Sequence, residues 1–244
     1  MSHPLRTDKG IIEAINLPDS VVNRGQNDMA QKKFRKNLGI PGLLTSLRKD
    51  LSKIRDPKSG TEIPLVDCLM SGLAVFQLKY PSLLQFEKAK FSKQIQVNLR
   101  NLYGVTRSPS DTQLRARLDV IDPVELQDSF ASLYQSLQRG KVLERFTYLE
   151  DYLLLSIDGT EFFSSKKVHC DCCCQRIQKN HVTTYYHQML SAAIVHPNHR
   201  QVFPLAPEPI QQQDGEVKND CERNAAKRLI SRIRRDHPRT QFII

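Results

Sequence analysis

The sequence lacks any long apolar segment: no run of eighteen consecutive apolar residues occurs in its 244 positions. A helix needs about 20 predominantly apolar residues to cross a bilayer, so the sequence predicts no membrane-spanning helix and no membrane partner. The first twenty residues contain neither a continuous apolar stretch nor a small-residue cleavage site. We therefore expect no secretory signal and a cytoplasmic location. Internal repeats and low-complexity tracts are also missing.

Acidic residues are in deficit, since 26 Asp and Glu stand against 36 Lys and Arg, which gives a net charge of +10. Such an excess favours polyanionic partners, nucleic acid first. Residues 32–58 and 223–239 carry most of the concentrated charge; the alternative for each cluster is a solvated helix face. The residues that we predict to contact DNA are Lys32, Lys33, Arg35, Lys36, Arg48, Lys49, Lys53, Arg55, Lys218, Arg223 and Lys227.

The cysteines do not show the paired CxxC spacing of common zinc domains, although four of the six lie between Cys170 and Cys174. Three consecutive cysteines cannot easily all form disulfides, and a cytoplasmic protein is kept reduced. Zinc accepts thiolate and imidazole ligands, and His181 and His187 follow the cysteines closely. Two interpretations stay open, a zinc site and a thiol-rich surface loop without metal.

Helical periodicity dominates the chain before about residue 148. Residues 1–30 are polar and aperiodic, which indicates a loose arm. Apolar residues recur at helical spacing over 41–55, 64–79 and 123–139, and Ser110 is a good N-cap for a further short helix. Residues 31–148 are therefore predicted to form a helical, DNA-binding region.

The pattern changes at residue 152, where a short apolar run ends in Asp158-Gly159 and predicts a buried strand. Residues 183–195 and 201–205 predict two further strands joined by a turn, residues 216–236 predict a helix, and residues 240–244 begin a fourth strand. The expected fold class is α+β, with an all-helical N-terminal region followed by an α/β domain over 149–244 that carries a Cys-rich insertion at 164–181.

Asp158 is the candidate catalytic residue. A carboxylate at the end of a buried strand is costly unless it is paired or bound to metal, and magnesium prefers carboxylate oxygens. Two such metals can activate a nucleophile and stabilise a leaving oxygen in phosphoryl transfer. In isolation, Asp-Gly is more often a turn. The order of a carboxylate-bearing strand, two antiparallel strands, a helix and a further strand is similar to that of the ribonuclease H-like nuclease fold.

Three blocks extend this similarity to a family: LLLSIDGTEFFSSKKVHC, VTTYYHQMLSAAIVHPNHRQVFPLAPEPI and QDGEVKNDCERNAAKRLI. They resemble bacterial insertion-sequence transposases of the DDE type over roughly residues 110–244. The resemblance implies a ribonuclease H-like catalytic domain behind a helical region that contacts transposon ends. It also implies magnesium- or manganese-dependent cutting and transfer of double-stranded DNA near the bacterial nucleoid, and a homodimer is a further expectation.

Carried over residue by residue, the resemblance assigns to Asp158 the first aspartate of the catalytic triad, a magnesium ligand. It places the second aspartate after the fourth strand and the glutamate much later, so we expect an incomplete domain that binds DNA without cutting it. A family element of the form His-Cys-x-x-Cys-Cys is met by His169, Cys170, Cys173 and Cys174, which are the candidate zinc ligands. The alternatives are a non-enzymatic DNA-binding regulator of transposition and a zinc-organised interaction protein.

Overall fold

The computed structural model describes residues 37–58, 60–179, 181–211 and 221–244. The fold is mixed α+β, in which helices occupy the described residues before Thr147 and a sheet follows. The helices before the sheet are α1 (Ile40–Leu51), α2 (Leu65–Gln77), α3 (Leu83–Ala89), α4 (Lys93–Asn101), α5 (Asp111–Leu118) and α6 (Gln127–Arg139), with 3-10 turns at Pro123–Leu126 and Leu143–Phe146. None of the described helices is long and apolar enough to cross a membrane.

Serine caps set the starts of three of these helices. Ser82 and Ser92 each accept a hydrogen bond from a backbone N–H three residues later, at the first turns of α3 and α4. Ser110 forms a full capping box with Gln113, as its position before α5 predicts. Each cap satisfies N–H groups that the first helical turn leaves without a partner. The predicted helices at 41–55 and 64–79 correspond to α1 and α2, with shorter C-terminal ends.

The helices α1 to α5 enclose an apolar core that includes Leu44, Met70, Phe86 and Leu99. A polar pair joins two of these helices at the core: Arg48 of α1 donates to the buried Asp67 of α2 over 2.5 Å. Gly104 has a positive φ of 66°, and a Cβ at that position would lie 2.9 Å from Cδ of Arg48. The glycine therefore gives the guanidinium room to reach its partner.

The sheet is built on two long antiparallel strands, β2 (Tyr152–Ser165) and β4 (Thr183–Val195). Its shorter strands are β1 (Thr147–Tyr148), β3 (Cys174–Ile177), β5 (Phe203–Pro204), β6 (Glu208–Ile210) and β7 (Phe242–Ile243). Strands β3, β5 and β6 pair antiparallel with β4, whereas β7 runs parallel to β2. The prediction of β4 is confirmed at both ends, whereas the predicted strand at 201–205 is reduced to β5.

The position of Asp158 differs from the prediction. Strand β2 does not end at Asp158-Gly159 but continues to Ser165, because β4 pairs with it from Leu154 to Ser165. The Asp-Gly pair, which as local sequence is typical of a turn, is held extended by the neighbouring strand. The carboxylate therefore lies in the middle of a long strand, opposite Ser191.

Helix α7 (Glu222–Asp236) covers one face of the sheet and leads to β7. Its buried residues Ala225, Leu229 and Ile233 share a core with residues of the central strands, among them Leu155 and Ile194. The N-terminal part of the predicted helix, residues 216–220, lies outside the described residues. Leu154 pairs with Val195 of β4 and also with Ile243 of β7, so β2 lies between an antiparallel and a parallel neighbour.

Candidate metal centre

Three potential metal ligands, Cys170, Cys173 and His187, converge at the β3 end of the sheet. The two cysteines lie on the tight turn before β3, where the N–H of Cys173 donates to the carbonyl of Cys170 over 3.2 Å. The N–H of Cys170 in turn lies 3.3 Å from Sγ of Cys173. His187 is supplied by β4, whose pairing places Tyr186 opposite Cys174 and so brings the next residue to the turn.

The spacing of the three ligand atoms fits a tetrahedral ion. The two sulfur atoms are 3.7 Å apart, and Nε2 of His187 lies 3.3 Å from each of them. With Zn–S bonds of about 2.3 Å and Zn–N bonds of about 2.0 Å, a tetrahedral site separates two sulfurs by about 3.8 Å and a sulfur from a nitrogen by about 3.5 Å. A zinc ion therefore fits with movements of a few tenths of an ångström.

The pKa shifts of the two types of ligand act in opposite directions on metal binding. Burial lowers the pKa of His187, which keeps the imidazole neutral at pH 7 and its lone pair available. Burial also raises the pKa of the Cys173 thiol. Because zinc binds the thiolate, occupation of the site would release protons.

Aromatic rings hold the histidine in place. Phe162 stacks on the His187 imidazole with centroids 5.8 Å apart and an interplanar angle of 13°, and Phe163 lies 5.7 Å away at 44°. Both phenylalanines belong to β2, where the pairing with β4 shifts register between Glu161 and Phe163. This bulge brings two consecutive rings against the ligand, which restricts the imidazole to the orientation that faces the thiols.

The structure replaces part of the ligand set expected from sequence. The ring of His169 stacks on Tyr185, with centroids 4.1 Å apart, and does not join the cluster. The Cys174 thiol is buried and donates to the carbonyl of Ile210 over 3.5 Å. Cys170 and Cys173 are brought together as predicted, and the third ligand is His187. The sequence signal for His187 is its place on the predicted strand over 183–195, which lies next to the cysteines once β3 and β4 pair.

The three protein ligands leave one tetrahedral position for water or a further donor. Three-ligand sites with an open position occur in catalytic zinc proteins, and closed four-ligand sites occur in structural ones. Cys172 lies in the same turn and is exposed. Within the described part of the chain, this is the one cluster of three or more potential metal ligands from His, Cys, Asp and Glu.

Asp158 does not belong to this cluster of potential ligands. Its side chain is exposed, and its Oδ1 accepts the N–H of Gly159 over 2.9 Å. On the neighbouring residue the packing is tight, because a Cβ on Gly159 would lie 2.4 Å from Oε1 of Glu222. Gln188 donates to that same oxygen over 2.7 Å. The Glu222 carboxylate therefore lies over Gly159, the residue next to Asp158, and Gln188 holds it in place by a hydrogen bond.

The predicted DNA-contacting residues of the N-terminal cluster fall into three groups. Arg48 is held in its ion pair with Asp67, and Lys53 pairs with Asp50 over 2.7 Å, which raises the pKa of the lysine. Lys49 and Arg55 are exposed. Four predicted contacts of this cluster, together with Lys218 of the second, lie outside the described residues, namely Lys32, Lys33, Arg35 and Lys36.

Helix α7 separates its basic residues onto two faces. Arg223, Lys227 and Arg234 are exposed, and their spacing of four and seven residues puts them on one side of the helix. On another side, Arg228 and the buried Arg232 both donate to Glu208 of β6 over 2.6 Å. The first group carries charge that no ion pair among the described residues offsets, whereas Arg228, although partly exposed, shares Glu208 with the buried Arg232.

A comparison with the models of known protein families, with curated proteins and with solved structures finds no match for this chain. The described residues offer three candidate functional features: a Cys₂His cluster at one end of the sheet, an exposed aspartate on the central strand, and exposed cations on α1 and α7.

Proposed function

We propose that this chain is a DNA-binding protein of the DDE transposase type. The observation that carries the proposal is the order and direction of the strands. A central strand with an aspartate, β2, is followed by antiparallel strands, by a helix, and by β7 parallel to β2. This order is the one that the resemblance to insertion-sequence transposases implies.

The exposed cations supply the means of binding. Lys49 and Arg55 near the end of α1 and Arg223 and Lys227 on α7 are exposed, and the latter two form no ion pair with any described residue. Lysine and arginine bind phosphate oxygens and release condensed counterions from the duplex. Such contacts position a protein on DNA and carry no sequence information themselves. Sequence selection would come from residues that reach base edges.

The role proposed for Asp158 is that of one magnesium or manganese ligand in the triad. Its exposure on the central strand leaves the carboxylate accessible to a hydrated ion. Phosphoryl transfer by two metals needs several carboxylates, because the negative charges must hold both ions. The resemblance assigns only Asp158 within this sequence. We therefore propose that the residues of this chain bind double-stranded DNA without cleaving it on their own, and the alternative is a non-enzymatic regulator that competes for transposon ends.

The salt dependence of DNA binding tests the proposal. Fluorescence anisotropy with a labelled duplex should give a logarithm of affinity that falls with the logarithm of salt concentration by about 0.9 per phosphate contact. Neutralising Arg223 and Lys227 with Gln should reduce that slope by roughly 1.8. Arg176→Gln is the matched control, because that arginine pairs with Glu161. A slope unchanged in the double variant, or no binding at low salt, would refute the DNA-binding proposal.

A second proposal is that zinc organises the β3 end of the sheet and the turn before it. The ligand geometry of Cys170, Cys173 and His187 favours it. Metal analysis of the full chain purified without added metal should find about one zinc ion per chain. Zinc well below stoichiometry, together with no uptake on titration, would leave the thiol-rich loop as the correct interpretation.

A further inference from the structure

A second basic site lies away from α7, in a pocket between the ends of α3 and α4. This cavity has a volume of about 240 Å³, and no carboxylate contributes to its lining. A separate cavity beside α5 has a volume of about 290 Å³. The polar residues of the first cavity come from the C-cap of α3, from α4 and from the loop that precedes α5. They are Lys90, Gln96, Arg100, Thr106, Arg107 and Ser108, which we call the basic pocket.

Lys90 is built into the wall of the basic pocket. Its side chain is only 10% exposed, and Nζ donates to the carbonyl of Pro109 over 2.8 Å. The nearest carboxylate oxygen, Oε1 of Glu87, lies 3.8 Å from Nζ. The ammonium thus holds the loop before α5 against α3, and its charge is only partly balanced. A buried ammonium whose one ion pair is long, at 3.8 Å, is further stabilised by a second anion nearby.

Ser108 supplies a second, independent observation. Its Oγ is buried and has no hydrogen-bond partner among the described residues. A buried hydroxyl without a partner costs free energy, and most such groups in folded proteins are satisfied. Ser108 lines the same cavity as Lys90, so an anion there would provide an acceptor for the hydroxyl.

Two arginines complete the ring of positive charge. Arg100, in the last turn of α4, is exposed and has no ion-pair partner in the described ranges. Arg107 pairs with Glu62 over 2.7 Å, but both side chains are more than half exposed, at 66% and 76%. Exposed pairs of this kind are weak, so the Arg107 guanidinium can turn to a stronger acceptor.

From this arrangement we infer that the basic pocket binds a phosphate group. Cations on several sides and hydroxyl donors match a tetrahedral group with oxygens in several directions, whereas a planar carboxylate offers only two. The phosphate can belong to a DNA backbone or be a free ion, and the chemistry of the pocket is the same for both. The inference does not depend on α7 or on the zinc ligands.

Calorimetric titration of the full chain with sodium phosphate, against sodium chloride at equal ionic strength, tests the inference. Arg100→Gln and Arg107→Gln should each weaken phosphate binding about tenfold. Arg139→Gln, an exposed arginine at the end of α6, is the matched control and should leave binding unchanged. Because Ser108→Ala removes a buried hydroxyl without a partner, it should keep or raise the melting temperature in phosphate-free buffer while it lowers phosphate affinity.

A parallel titration with duplex DNA identifies the source of the phosphate. Loss of both phosphate and DNA affinity in the double arginine variant supports a backbone phosphate, and loss of phosphate affinity alone supports a free ion. Phosphate binding no tighter than chloride binding, or equal in the double variant and the unaltered chain, would overturn the inference. DNA binding that fails in the Arg223 and Lys227 variant but persists in the pocket variants would support the DNA contacts proposed for α7 and would exclude a backbone phosphate as the ligand of the basic pocket.

Discussion

The Nε2 atom of His187 lies 3.3 Å from Sγ of Cys173, although fourteen residues separate them along the chain. The sheet makes this contact, since β3 and β4 are antiparallel and the turn before β3 returns Cys173 to the strand that carries the histidine. A ligand pair that is fixed by strand pairing is pre-organised, so zinc has to order little of the backbone when it binds.

The identity of the imidazole ligand is the first prediction. His187→Ala should reduce bound zinc from about one ion per chain to a trace, because it removes one of three protein ligands. His169→Ala is the matched control, since that ring stacks on Tyr185 and should leave zinc content unchanged. Metal analysis of both purified variants checks this. Zinc lost from the His169 variant and kept in the His187 variant would restore the ligand set expected from sequence.

The ion pair between Glu208 and Arg232 gives the second prediction. Arg232 is 8% exposed and Glu208 12% exposed, so Glu208→Ala leaves a buried guanidinium whose remaining partner among the described residues is the carbonyl of Ala206. We expect a loss of about 3 kcal/mol in the free energy of unfolding, measured by urea denaturation. Glu161→Ala breaks an exposed pair with Arg176 and should change stability little. Similar losses in the two variants would show that burial does not set the cost.

The pH dependence of stability gives the third prediction. His237 is buried against Tyr134, with ring centroids 3.9 Å apart, and Phe242 lies on its other flank. Burial lowers the pKa of His237, and the charge of Asp236 offsets only part of that shift. The neutral ring is therefore preferred in the folded state, so its contribution to stability is present above about pH 6.5 and is lost as the pH falls through the lowered pKa.

His237→Phe should flatten this decline. Denaturation curves at several pH values below 7, for the variant and the unaltered chain, give the contribution of His237 as the difference between the two slopes. Contributions of other titrating groups cancel in that difference. A variant whose stability falls with pH as steeply as that of the unaltered chain would contradict the assignment.

The fourth prediction separates DNA binding from catalysis at Asp158. Because the carboxylate is exposed and, among the described residues, accepts a hydrogen bond from the N–H of the next residue alone, Asp158→Ala should change the free energy of unfolding by less than about 0.5 kcal/mol. Its DNA affinity should equal that of the unaltered chain. A magnesium-dependent nicking assay should detect no turnover in either protein. Robust nicking that Asp158→Ala abolishes would refute the proposal that this chain binds DNA without processing it.

Local sequence patterns were sufficient to predict the helices and strands whose ends are marked by capping residues or by runs of β-forming residues. Ser110 is the N-cap that its position predicts, and β4 spans the predicted residues, because caps and runs of β-forming residues act through neighbours in the chain. The same reasoning ended β2 at Asp158-Gly159, where the pairing with β4 overrides the local turn preference. Likewise, a count of basic residues cannot separate Arg232, which is buried on Glu208, from Arg223, which is exposed.

The sequence by itself determined the α+β class, the excess of positive charge and the presence of a thiol-rich turn, since these depend on composition and short-range periodicity. Only the tertiary structure decided which imidazole meets Cys170 and Cys173, which cations face solvent, and that Lys90 and Ser108 share one pocket. Each of those outcomes depends on the register of paired strands or on the packing of helices distant in sequence, and no local pattern encodes either.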